Sequence, residues 1–102
     1  MIDERYYIGT DLKFAFEIEG EGFDMATDKY DIDLVCGGKT VHVDVEERVV
    51  EDEGEFLLLV DTRPFPPGVL KMVATAYVPD ENYSDGYREE VVSKELCQIK
   101  RP

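Results

Sequence analysis

Tyr30-Asp31-Ile32-Asp33-Leu34-Val35-Cys36, then Gly37-Gly38, then Lys39-Thr40-Val41-His42-Val43-Asp44-Val45 carries the plainest structural message in the chain. In the first run Tyr30, Ile32, Leu34 and Cys36 share one face and Asp31 and Asp33 the other, a period of two that belongs to a half-buried strand. Two glycines follow, and they accept the left-handed backbone of a tight hairpin turn without steric cost. Val41, Val43 and Val45 then point inward on the returning strand, leaving His42 outward. The spacing predicts an antiparallel hairpin with one wet face.

The same alternation recurs on either side. Leu12-Lys13-Phe14-Ala15-Phe16-Glu17-Ile18-Glu19 puts Leu12, Phe14, Phe16 and Ile18 on one face and ends at Gly20-Glu21-Gly22. Phe56 to Asp61 is apolar on both faces and belongs at the centre of a sheet or under a covering loop. Arg63-Pro64-Phe65-Pro66-Pro67-Gly68 holds three prolines, which donate no ladder hydrogen bonds, so it reads as a crossing between sheets. Val69 to Val78 is the next strand. Tyr87 to Val92 and Leu96 to Ile99 form one last strand or two joined at a bulge. Glu46 to Glu55 reads as a polar connector. The expectation is a single all-β domain over 1–102: an antiparallel, immunoglobulin-like two-sheet sandwich of six or seven strands, with a partly open barrel as the alternative. Its expected core is Phe14, Phe16, Ile32, Leu34, Val43, Phe56, Leu58, Val60, Leu70 and Met72.

Composition bounds the function. The 102 residues carry 11 basic and 24 acidic side chains, a formal charge of −13. Such a charge opposes nucleic-acid backbones and anionic membranes as partners. The longest apolar run, Phe56 to Val60, is far short of the roughly 20 residues a spanning helix needs. Met1 to Tyr7 shows no basic, apolar leader pattern, so a cytoplasmic origin is expected. Cys36 and Cys97 have a separation that would suit an inter-sheet disulfide, but the Trp that packs on such a bridge is missing, and two free buried thiols are expected.

Catalytic chemistry finds little support. His42 is the one imidazole and no nucleophile elbow accompanies it, so no catalytic residue, cofactor or metal site is assigned and the chain is not expected to be an enzyme. The turn Asp80-Glu81-Asn82-Tyr83-Ser84-Asp85-Gly86 begins like a calcium loop, but Asp85 stands where glycine is needed and Val91 where a bidentate Glu is needed. Asp24, Asp28, Asp31 and Asp33 form a second acidic set without a loop pattern. Tyr6, Tyr7, Tyr77, Tyr83 and Tyr87 could offer an aromatic platform to a carbohydrate, and the acidic surface could imitate nucleic acid toward a basic protein; both stand as alternatives.

Asp61-Thr62-Arg63-Pro64-Phe65, Gly68-Val69-Leu70-Lys71, Ala76-Tyr77-Val78-Pro79-Asp80, Tyr83-Ser84-Asp85-Gly86-Tyr87-Arg88-Glu89-Glu90-Val91 and the opening Ile8-Gly9-Thr10-Asp11-Leu12-Lys13-Phe14 resemble small β-sandwich proteins of Bacteroidales phages and prophages. More distantly they are similar to the immunoglobulin-like N-terminal domains of phage baseplate upper proteins. The resemblance implies a structural or adaptor role in a tail or baseplate, and hence a place in the virion, without catalytic residues. From the residues themselves, the expected function is contact with a protein partner or a second copy through a sheet edge or face. Tyr87-Arg88-Glu89-Glu90-Val91-Val92 alternates weakly and carries both charge signs, as an edge strand does. Tyr87, Arg88 and Val91, with Tyr6 and Tyr7 beside the second surface Ile8 to Leu12, are the candidate interaction residues.

Overall fold

The computed structural model describes residues 4–102. Among these residues eight strands run in chain order: β1 (Arg5–Tyr7), β2 (Asp11–Phe16), β3 (Tyr30–Cys36), β4 (Lys39–Val43), β5 (Val49–Asp52), β6 (Glu55–Asp61), β7 (Gly68–Pro79) and β8 (Tyr87–Lys100), with one helical turn, α1 (Val45–Arg48), between β4 and β5. They form a five-stranded sheet in the order β1-β8-β7-β3-β4 and a three-stranded sheet in the order β2-β6-β5. The two sheets share one hydrophobic core, as the layers of a β-sandwich do. No strand joins the two sheets among the described residues, so the barrel alternative falls.

The count exceeds the expected six or seven for identifiable reasons. The supposed connector at 46–55 contains β5 and a second tight hairpin, whose turn residues Glu53 and Gly54 both have positive φ (50° and 84°). Asp44 caps the helical turn by accepting from the Glu46 amide, which stops β4 at Val43 before the expected Val45. β1 is the other addition, and it runs parallel to β8, with Arg5 opposite Gln98 and Tyr7 opposite Lys100, so the five-stranded sheet is not wholly antiparallel. The last strand is continuous. Its bulge falls at Leu96: Leu70 pairs with Cys97 and Lys71 with Glu95, leaving Leu96 extra.

The alternation reading holds in the hairpin of β3 and β4, where Gly37 and Gly38 take φ of 58° and 82°. β6 is the central strand of its sheet, and Arg63 to Pro67 crosses from one sheet to the other. β2 ends at Phe16, opposite Phe56 and short of the expected Glu19; β6 itself starts only one residue earlier, at Glu55, where the chain turns back to β5. The core holds Phe16, Ile32, Leu34, Val43, Leu58, Val60, Leu70 and Met72 as expected, while Phe14 and Phe56 are only half-buried. Ile18, Cys36, Phe65, Ala74, Ala76, Val78, Leu96, Cys97 and Ile99 complete it among the described residues. Thr62 is the buried polar residue: its Oγ1 accepts from the Gly9 amide at 2.9 Å and donates to the Thr10 carbonyl at 2.8 Å, pinning the β1–β2 turn to the end of β6.

Cys36 and Cys97 are both buried and free. Cys36 follows Val35, which pairs with Lys71, and so lies beside Leu70, whose other neighbour is Cys97. The two thiols therefore sit two ladder spacings apart in one sheet, roughly 9–10 Å between Cα atoms, beyond the reach of a disulfide. Cys36 Sγ donates to the Pro66 carbonyl at 3.3 Å, and burial pushes the Cys97 thiol up to about 11.

Candidate interaction edge

β8 is the longest strand, and it is paired on both sides for only a short part of its length. β7 covers one side from Tyr87 to Ile99, while β1 covers the other only from Gln98 to Lys100. Among the described residues no strand lies beside Tyr87 to Glu95 on the outer side. β2, across the sandwich on the same flank, likewise pairs only with β6. Two sheet edges therefore open on one side of the molecule. Between them a groove of about 720 Å³ is lined by Ala15, Phe16, Phe23, Met25, Phe56 and Lys94, among others.

Pairing with β7 settles which way each β8 side chain points. Arg88, Glu90, Val92 and Lys94 stand opposite Val78, Ala76, Ala74 and Met72, all core residues, and so lie on the core side of the sheet. Tyr87, Glu89, Val91, Ser93 and Glu95 lie on the outward side. Val91 is 65% exposed, Tyr87 46% and Val92 44%, so apolar side chains on both faces meet solvent along this edge. Val92 does so although its partner Ala74 is fully buried.

Arg88 is engaged within the chain. Its Nη1 donates to Asp80 Oδ2 at 2.7 Å and its Nε to Glu90 Oε1 at 3.1 Å. Asp80 Oδ1 accepts from the Asn82 amide, and the Asp80 amide donates to the Gly86 carbonyl. The Asn82 amide above all, with Arg88 beside it, holds the Asp80 carboxyl below the usual carboxylate range. Both oxygens of the first residue of the calcium-like turn thus serve the hairpin tip, and no group of three or more metal-ligating side chains occurs among the described residues. Asp24 and Asp28 are used in the same way, accepting from the Ala26 and Asp24 amides.

The five candidate residues do not converge. Tyr87, Arg88 and Val91 sit near the tip of the β7–β8 hairpin. Tyr6 and Tyr7 pair with Ile99 and Lys100, between eight and thirteen residues along the same strand, about 25–40 Å away. Tyr6 packs against the core and its hydroxyl reaches Glu4, whereas Tyr7 is exposed. Tyr77 and Tyr87 share the outward face of the β7–β8 hairpin, two residues apart across the ladder, while Tyr6 and Tyr7 lie at its other end. Tyr77 donates to Asp31 Oδ2 at 2.7 Å with Lys29 Nζ 4.9 Å above its ring, and Tyr83 stands out on the turn. His42 is outward as expected, with Nδ1 2.9 Å from Asp33 Oδ1. Ser93, Lys94 and Glu95 belong to the edge but escape a search for charged, alternating residues, because the extent of the edge depends on how short β1 is.

No family model, curated protein or solved structure matches the chain. Among the described residues no helix is long and apolar enough to cross a membrane.

Proposed function

We propose that this protein is a non-enzymatic adaptor or structural subunit that works by taking up a protein partner along the open edge of β8. The observation that carries the reading is the unpaired length of Tyr87 to Glu95 with Val91 and Tyr87 exposed on it. An unpaired edge offers backbone donors and acceptors at strand spacing, which a neighbouring extended chain can satisfy, and the exposed side chains then select the neighbour. The charges Arg88, Glu89, Glu90 and Lys94 keep the edge from pairing indiscriminately. The resemblance to small phage β-sandwich proteins supports the same reading and suggests a tail or baseplate as the setting.

Co-expression with the products of the adjacent genes, followed by size-exclusion chromatography with light scattering, tests it. The wild type should co-elute with a neighbour or self-associate, and Val91→Lys and Tyr87→Glu should each lose that association while keeping the wild-type melting temperature. A strictly monomeric wild type that no neighbouring product joins would sink the proposal.

A further inference from the structure

We infer that the occupant of the β8 edge is an extended segment of another protein, basic on one face around an apolar residue, and not a second copy of this chain. The inference rests on the edge-docking reading above and adds the chemistry of the partner.

A strand laid beside β8 sets each residue opposite one of β8, on the same face of the sheet. On the outward face it meets Glu89, Val91, Ser93 and Glu95; on the core side it meets Glu90, Val92 and Lys94. Glu89 and Glu95 make no ion pair among the described residues; Lys71 faces Glu95 in the ladder but is not within ion-pair distance. Glu90 is already held by Arg88 at 3.1 Å. The uncompensated charges nearest an incoming strand on its outward face are therefore two carboxylates on either side of an exposed valine. The matching segment carries Lys or Arg opposite Glu89 and Glu95 and apolar residues opposite Val91 and Val92. The net charge of −13 steers such a segment inward and repels an acidic one.

The same geometry disfavours self-pairing. Two copies related by a twofold axis pair antiparallel, and residues directly opposite must share a face. The register centred on Val91 sets Arg88 against Lys94 twice. The register centred on Val92 sets Glu89 against Glu95 twice, with Glu90 opposite Lys94 but already held by Arg88; that centred on Glu90 sets Glu90 against itself; and that centred on Ser93 escapes like charges but spans only Val91 to Glu95 before the bulge at Leu96. Like charges directly opposite destabilise a sheet pair, and the charge of −13 on each copy adds to the repulsion.

The test uses four synthetic heptapeptides against the isotope-labelled full chain, followed by backbone amide NMR. One reads lysine, threonine, threonine, valine, isoleucine, threonine, lysine, which matches Glu95 back to Glu89 in an antiparallel strand. The second is its reverse, for a parallel strand. The other two carry glutamate in place of both lysines. One of the lysine peptides should shift the amides of Tyr87 to Glu95 and bind about tenfold more tightly than its glutamate analogue, with the gap narrowing as salt rises. The double variant Glu89→Lys, Glu95→Lys should reverse the preference. Equal binding of lysine and glutamate peptides at β8 would overturn the partner chemistry while leaving edge docking intact. Failure of every peptide to move the β8 amides would overturn both. Concentration-dependent association of the wild type alone, lost in Val91→Lys, would make the second copy the occupant and overturn the inference.

Discussion

Tyr77 shows how one hydrogen bond gives a side chain a measurable signature. Its hydroxyl donates to Asp31, and that bond, reinforced by burial and by the charges of Asp31 and Glu89, pushes the phenol from the ordinary value of 10.0 up to about 12. The donor must keep its proton to make the bond, so the folded chain holds a proton that the unfolded chain gives up. The contribution to stability is present in full below pH 10 and is lost as pH rises through about 12. Phenolate absorbance should show a late-titrating group in the wild type that Tyr77→Phe removes. In the same variant the fall of the melting temperature across that alkaline window should be shallower. It should not vanish, because Tyr6 beside Glu4 and the half-buried Tyr30 are pushed in the same direction. An unchanged titration curve would show that the Asp31 bond does not hold in solution. None of this was visible from the residues. Asp31 and Tyr77 lie 46 positions apart, and only the pairing of β3 with β7 brings them together.

At the scale of the element, the two tight hairpins separate what a sequence can announce from what it cannot. Gly37-Gly38 between alternating strands is an explicit turn signal, and β3 and β4 follow from it. Glu53-Gly54 makes the same kind of turn, but a glutamate with φ of 50° advertises nothing, so β5 was hidden inside an acidic stretch. β1 was hidden for another reason: three residues are too few to show a period, and their place beside β8 is set by a parallel pairing across the whole chain. The candidate site suffered accordingly. Tyr87 to Val92 was legible as an edge from its mixed charges, but its continuation to Glu95 depends on where β1 stops. The two glycines of the first turn also differ from each other. At Gly37 a Cβ would stand 2.5 Å from Pro66 Cγ and 2.7 Å from the Pro67 carbonyl oxygen, because the crossing loop packs against the turn; at Gly38 it would meet open space. Gly38→Ala should cost about 1–2 kcal/mol, the left-handed strain alone. Gly37→Ala should cost about 1–3 kcal/mol more, since proline and backbone must give way. Chemical denaturation of the two variants checks this, and equal losses would mean that the crossing loop does not press on the turn.

Across the whole molecule, 49 × 31 × 25 Å, the long axis reflects the β7–β8 hairpin, which continues past its last pair with β3 at Ala76. The first and last strands meet at the other end of that hairpin. Gln98 donates to the Glu4 carbonyl at 2.9 Å and Ile8 to the Lys100 carbonyl at 2.8 Å, with β1 and β8 parallel between them. The parallel sense has a mechanical meaning. Tension applied at Glu4 and Arg101 pulls the two strands in opposite directions along their own length, so the hydrogen bonds between them are sheared together and share the load. Tension applied at Lys29 and Asp44, the open end of the β3–β4 hairpin, would part its bonds one after another. Single-molecule stretching through the first pair of handles should therefore give the higher rupture force, and an equal or lower one would show that the β1 clasp bears no load. A subunit held in a tensioned assembly at its two ends would be strongest along the line through which the force arrives.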